Sequence, residues 1–281
     1  MNILSIQSWV AYGHVGNAAA AFPMQRLGHE VWTVNTVQFS NHTGYGQWTG
    51  QVFTGEAIHE LMRGIADRGV LPRCDGVLSG YMGAVDIGAA ILDAVAAVKA
   101  ANPQALYCCD PVIGDVGRGI FVRPGIPEMI RDKVVPGADI ITPNHFELEY
   151  LSGRTVRSDA DLAVALDVLH ERGPATILVT SFQGEMTPKD SIDLVVSEAG
   201  SRWRVCTPRL PISVNGAGDA IAALFFVHRL NGDPAQALSR AASSVYGVLK
   251  RTAAGGHREI ALIEAQEEFV RPTEVFKAVK L

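Results

Sequence analysis

The sequence predicts an α/β fold: a mainly parallel sheet covered by helices. Short apolar or β-branched runs alternate with longer segments of helical period, the pattern that places a crossover helix between neighbouring strands. Apolar residues make up 48% of the 281-residue chain against 19% charged, enough to bury a large core. No Pro/Ser-rich tract, charge block or internal repeat interrupts the pattern, so residues 1–281 are expected to form a single domain.

The apolar run 2–7 reads as the first strand, and 16–27, rich in alanine, as the first helix. The β-branched run 30–37 is the next strand, followed by a helix over 55–68 and a short strand at 76–79. A helix over 86–101 leads to strands at 105–109 and 139–142. Ser158 is a good N-cap for a helix over 159–172, and Gly173-Pro174 is its stop signal. A strand at 176–180 follows, then runs 192–196 and 203–206, spaced like a hairpin, and helices over 217–230 and 234–250.

A formal net charge of −5 gives no basic field of the kind that binds nucleic acid or an anionic membrane. Any polyanionic ligand must be held by local devices: backbone amides, helix N-termini and metal ions. The four cysteines, Cys74, Cys108, Cys109 and Cys206, lack metal-ligand spacing and are expected to be buried, reduced thiols. The N-terminal segment MNILSIQSW has no basic region or cleavage site, and no apolar run approaches the ~20 residues that span a bilayer. A cytoplasmic location is expected.

Asn215-Gly216-Ala217-Gly218-Asp219 stands directly before the apolar stretch AIAALFFV. The glycines let the backbone approach a ligand, so that successive N–H groups and the positive helix end can hold an oxyanion or phosphate. Asp219 in the first turn faces that anion site; alternatively it only caps the helix. Pro143-Asn144-His145-Phe146-Glu147 follows the run 139–142, at the strand end where open α/β sheets bind ligands. Asn144 and Glu147 suit a Mg²⁺–phosphate site, or else form a capping box. Asp110, Asp115 and Thr180-Ser181 also follow apolar runs, so four strand ends offer hard oxygen ligands suited to Mg²⁺ or K⁺. His14, His42 and His145 have no ligand spacing and are expected to make ordinary hydrogen bonds. Aromatic and amide residues collect in the N-terminal third, in Gln7-Ser8-Trp9, the segment 39–45, Trp48 and Gly80-Tyr81. Several follow strands and suit a pocket for a flat polar ring. The segment 114–125, GDVGRGIFVRPG, is too rich in glycine for a stable helix or central strand and is expected to be a mobile flap over the site.

In order, SIQS, GHVGNAAA, VQFSNHTGYG, LSGY, CDPVIGD, DIITPNHFELEYLSG, VTS and NGAGD resemble the pyridoxal kinase family of the ribokinase-like superfamily, over almost the whole chain. The resemblance implies a three-layer α/β/α sandwich, a homodimer, ATP with Mg²⁺, often a monovalent cation such as K⁺, and pyridoxal as phosphoryl acceptor. Carried over by position, it makes Ser8, Thr43 and Gly44 contacts to the pyridoxal ring and Tyr81 the residue stacked on it. Asp219 becomes the base and Gly216, Ala217 and Gly218 the anion hole. Asp110, Thr142 and Thr180 fall on the monovalent-cation and phosphate side, Asp115, Asn144 and Glu147 on the Mg²⁺ side, and Thr207, Pro208, Arg209 and Leu210 near the adenine or ribose. The chain departs from the family at Trp9, where His is common, and at Ala217, where some members carry Thr or Val. Some bacterial members have Lys at position 180 and Cys at position 120; a mechanism relying on either does not transfer to Thr180 and Ile120.

Overall fold

The computed structural model describes residues 1–281. The chain opens with β1 (Asn2–Tyr12), α1 (Asn17–Arg26), β2 (Glu30–Asn41) and β3 (Gly50–Val52), then α2 (Gly55–Ala66), β4 (Gly76–Ser79), α3 (Val85–Ala101) and β5 (Leu106–Cys109). A small hairpin of β6 (Gly114–Asp115) and β7 (Gly119–Ile120) leads into α4 (Ile126–Met129), a π-helical turn (Ile130–Val134) and α5 (Val135–Gly137). Next come β8 (Ile140–Ile141), α6 (His145–Ser152), α7 (Asp159–His170), β9 (Thr176–Phe182), β10 (Ser191–Glu198) and β11 (Ser201–Pro208). The chain closes with α8 (Ala217–Asn231), α9 (Pro234–Gly255), α10 (Glu267–Val270) and β12 (Val279–Lys280).

Ten strands form one sheet in the order β12-β11-β10-β9-β8-β5-β4-β1-β2-β3. The central run from β2 to β9 is parallel, while β3 and the β10 to β12 extension are antiparallel. Alternate residues of the central strands enter opposite cores. Val77, Tyr107, Cys109, Ile141, Ile177 and Val179 pack with α2, α3, α6 and α7. Leu78, Cys108, Ile140 and Leu178 pack with α1, α8 and α9. Both faces are dry, so the strands read as continuous apolar runs, as a covered parallel sheet requires. The sandwich of three layers follows.

Several boundaries differ from those read in the sequence. β1 runs on to Tyr12 and β2 to Asn41, because Trp9, Val10 and Tyr12 keep pairing with Gln38, Phe39 and Asn41 despite their polar surroundings. Gln7-Ser8-Trp9 and Phe39-Ser40-Asn41 therefore lie within strands rather than after them. α7 stops at His170, two residues before its expected end, although Ser158 caps it as anticipated by accepting from Asp161 N–H. The hairpin of β10 and β11 forms as expected. Cys74, Cys108 and Cys109 are buried, but Cys206 is exposed: it sits on β11, only part of which is covered.

Candidate active site

Because the central strands are parallel, their C-terminal ends reach the same edge of the sheet. Ser8 lies where the β1–β2 register slips between Gln7 and Trp9, a bulge that re-aims a strand side chain, and it is buried. Tyr81 follows β4, its carbonyl accepting from Thr36 Oγ1 at 2.6 Å. Asp110 directly follows β5, held by its N–H to Ser79 O at 2.8 Å. Thr142 directly follows β8 and donates its hydroxyl to Asp110 Oδ1 at 3.0 Å. Thr180, in β9, donates its N–H to Pro143 O at 2.8 Å and makes a parallel bridge with Asn144.

The glycine loop before α8 meets these strand ends. Gly216 has φ 89°, and a Cβ there would run into the His14 carbonyl, so only glycine lets the chain turn so close to residue 14. Ala217, Gly218 and Asp219 then form the first helical turn, whose positive end presents the N–H groups of Ala217 and Gly218. Burial pushes the Asp110 carboxyl up to about 8, helped by the negative charge of Asp219 and opposed by the Thr142 hydroxyl. Burial also raises Asp219, opposed by the backbone N–H groups of Gly16 and of Asp219 itself. Two carboxyls that disfavour each other's charge thus share one centre, an arrangement that recruits cations and tunes proton affinity.

Beside this centre opens a cavity of about 310 Å³, mostly apolar, within the size range of small-molecule sites. Thr180, Thr207, Pro208 and Leu210 line it, as do Ala217 and Gly218 of the glycine loop. Arg209 does not; it is exposed, and its N–H bonds to Asp190 O at 2.7 Å. Ser181, named with Thr180 in the sequence and held at φ 53°, is a wall as well, whereas sequence reasoning missed Val245, Tyr246 and Leu249 of α9. The apolar face of α9 was legible as a core face, but nothing in it marks which of its residues meet a ligand.

Asn144 and Glu147 form the capping box of α6. Glu147 is buried; its Oε2 accepts from Asn144 N–H at 2.9 Å and its Oε1 from Ile113 N–H at 2.9 Å and Gly114 N–H at 3.4 Å. Burial and the Asp110 charge push its carboxyl up against those three donors. Asn144 Nδ2 also donates to Gly114 O at 2.8 Å, so both side chains pin the root of the β6–β7 hairpin. Asp115 is exposed on that hairpin, with its Oδ1 accepting from Val116 N–H at 2.7 Å. The hairpin pairs only with itself, and Val116, Arg118, Ile120 and Phe121 are exposed on it. Burial lowers the His42 imidazole and the Arg118 charge adds to that, while burial raises the Tyr81 phenol and the Arg123 charge opposes it, so the segment lies within electrostatic reach of both.

Thr43 and Gly44 sit in a 3-10 turn, Thr43–Tyr45, in which His42 Nδ1 accepts from Gly44 N–H at 3.1 Å. The Asn215 side chain stands close beside Gly44, bringing this turn to the glycine loop. His14 and His145 make local bonds to Ala18 O and Val156 O. No three carboxylate, imidazole or thiol side chains are grouped to hold a metal by themselves. The buried Asp110 and the half-buried Asp219, within electrostatic reach of each other, fit a cation that draws its remaining ligands from water or phosphate, as Mg²⁺ commonly does.

No helix is long and apolar enough to cross a membrane. The phosphomethylpyrimidine kinase family matches residues 73–262. A pyridoxal kinase of Granulibacter bethesdensis is 65% identical over 99% of both chains, and one of Rubrobacter xylanophilus is 56% identical over 97% of this chain and 94% of its own. Among solved structures, the pyridoxal kinase from Leishmania donovani in complex with ADP and pyridoxamine superposes with a TM-score of 0.93 at 30% identity, covering 100% of this chain and 99% of that one. The pyridoxal kinase from Entamoeba histolytica gives a TM-score of 0.91 at 26% identity, with 100% and 99% covered. With its strand-end carboxyls, glycine loop and adjoining cavity, the chain belongs to the pyridoxal kinases, ATP-dependent enzymes of ribokinase-like fold.

Proposed function

We propose that the chain transfers the γ-phosphoryl group of ATP to the 5'-hydroxymethyl group of pyridoxal, giving pyridoxal 5'-phosphate and ADP. The observation that carries this is the meeting of Asp219, at the start of α8, with the β5 and β8 ends on one side and the cavity of about 310 Å³ on the other. Adenine and ribose occupy that cavity between Thr207 to Leu210 and α9. The phosphates reach toward the N–H groups of Gly216, Ala217 and Gly218, where one well-placed donor is worth ~3–4 kcal/mol to a transition-state oxyanion. Ser8, Thr43 and Gly44 hold the pyridoxal ring and Tyr81 stacks on it. Asp219 accepts the hydroxyl proton; its raised proton affinity suits a group that must take a proton late in a loose phosphoryl transfer.

Asp110, Thr142 and Thr180 are the groups we assign to a monovalent cation and the phosphates, and Asp115, Asn144 and Glu147 those on the Mg²⁺ side, acting largely through water. Metal ions, when bound, supply positive charge to the phosphate oxygens. We read the chain as one domain acting in the cytoplasm as a homodimer.

A second reading has one specific observation behind it: the matched family is described by a pyrimidine substrate. That match begins at residue 73, however, and leaves out Ser8, Thr43 and Gly44. A coupled assay of ADP release across pyridoxal, pyridoxine, pyridoxamine, hydroxymethylpyrimidine and ribose separates the two. Turnover highest on the pyrimidine or the sugar would overturn the pyridoxal assignment.

A further inference from the structure

Glu259 lies far along the chain from every residue assigned to the acceptor or the anion hole, yet it joins two of the site's loops. Its Oε1 accepts from the Tyr45 hydroxyl, and its Oε2 accepts from His14 N–H at 3.1 Å. Tyr45 is held on two further sides: the Arg258 guanidinium stands 3.7 Å over its ring centroid, and Tyr12 meets the ring edge-on at 6.0 Å. The bond to Glu259 pushes the Tyr45 phenol up to about 12, so it remains a donor throughout the neutral range. Tyr45 ends the turn that carries Thr43 and Gly44, with Tyr45 N–H bonded to His42 O at 3.1 Å and Gly46 N–H to Thr43 O at 3.0 Å. A fixed Tyr45 therefore fixes Thr43.

The second arm reaches the anion hole. Gly13 has φ 91°, and a Cβ there would overlap the Glu259 carboxylate, so the carboxylate lies directly against the backbone of residues 13 and 14. The His14 carbonyl is in turn the group that presses on Gly216. One carboxylate thus ties the turn holding the acceptor to the loop on which the phosphate-binding glycines rest. Behind it lies a second cavity of about 290 Å³, walled by Tyr12, His14, Arg258 and Glu259, so no packed side chain substitutes for the clamp if it is cut.

We propose that Glu259 is a positioning residue for the acceptor substrate, setting the place of Thr43 and Gly44 through Tyr45 and registering them against the anion hole through His14. The inference rests on the pyridoxal reading given above. Its effect is specific in direction: Glu259 is not among the walls of the nucleotide cavity.

The test compares wild type with Glu259→Ala, Glu259→Gln, Tyr45→Phe and the Tyr45→Phe/Glu259→Ala pair, measuring KM for pyridoxal, KM for ATP and kcat, and checking each fold by thermal melting. Losing a hydrogen bond to a charged acceptor should raise KM for pyridoxal about tenfold in Glu259→Ala, with KM for ATP and kcat within about twofold of wild type. Glu259→Gln, which keeps an acceptor oxygen, should recover part of the loss, and the double variant should be little worse than Glu259→Ala because both changes cut one contact. An unchanged KM for pyridoxal, an equal rise in both KM values, or fully additive single effects would overturn the proposal. If Glu259→Ala does not fold, Tyr45→Phe, which removes one oxygen, decides alone: a wild-type KM for pyridoxal refutes the clamp. Wild-type protein inactive on pyridoxal would instead defeat the functional reading itself.

Discussion

Replacing Asp110 with Asn should stabilise the ligand-free protein, and increasingly so as pH rises. The Asp110 carboxyl has an ordinary value of 3.8 and is lifted to about 8 by burial and by Asp219. Between those values the folded chain holds a proton that the unfolded chain has released, so the free energy of unfolding falls as pH climbs from about 4 to about 8. Below pH 3.8 both states are protonated and the penalty vanishes. At 1.36 kcal/mol per pH unit the full span is about 6 kcal/mol, and polar relaxation around a site of effective dielectric ~20 brings the expected net to about 3 kcal/mol. Asn cannot ionise, yet it keeps an oxygen to accept the Thr142 hydroxyl. At 2–4 °C per kcal/mol, the variant should melt roughly 6–12 °C above wild type at pH 8.5, with a much smaller gap at pH 5. Thermal denaturation followed by circular dichroism, with tetramethylammonium as the sole cation, measures this. A gap that does not change with pH, or a variant less stable than wild type at pH 8.5, would refute the idea that burial and the neighbouring carboxyl disfavour the Asp110 charge.

Asp219→Asn should keep ATP binding, read by calorimetry, while turnover falls ~10²-fold or more, the usual contribution of a general base; near-normal turnover removes that role. Gly216→Ala should cost about 2–4 kcal/mol in a urea titration, since it combines a left-handed φ with overlap on the His14 carbonyl. Gly218→Ala, whose Cβ meets nothing within 4 Å, should melt within about 1 °C of wild type yet show weakened kcat/KM for ATP, because the methyl group enters the cavity. Trypsin should cut after the exposed Arg118 quickly in the free enzyme and slowly with MgATP and an unreactive pyridoxal analogue bound, whereas Arg123, followed by proline, should resist. Equal cleavage in both states would mean the hairpin does not close over the site.

The parallel core was legible because its strands are short, apolar and separated by helices of the right period; β4, at Gly76–Ser79, matches its expected bounds residue for residue. β3 and β12 were not, since segments of three and two residues have no period to read and exist only through pairing with β2 and β11. The helical stretch from Ile126 was hidden by its prolines, Pro127 and Pro136, each in a first turn where it needs no donor. At the site, Asp110 stood out because it follows an apolar run, Asp219 because it opens a helix behind two glycines, and Thr142 only through the family resemblance, while the capping box offered as the plainer reading of Asn144 and Glu147 is present. Glu259 and the α9 wall could not be read, because their meaning lies in contacts across the fold. His14 and Glu259 stand 245 positions apart, and no local pattern announces such a pair.

The order of the sheet has a consequence for how such enzymes diversify. Everything assigned to the acceptor except Glu259 and Asp219 comes from chain up to and including Tyr81, on strands toward one edge, while the walls of the cavity assigned to the nucleotide come from Thr180 onward, toward the other. Drift in the first third of the gene can therefore retune which alcohol is phosphorylated without disturbing the grip on the nucleotide, and drift in the last third can do the reverse. On this assignment the seam carries the constraint: Asp110 and Asp219, where the two territories touch, and the tie proposed for Glu259, which would keep an altered acceptor loop aligned with an unaltered donor.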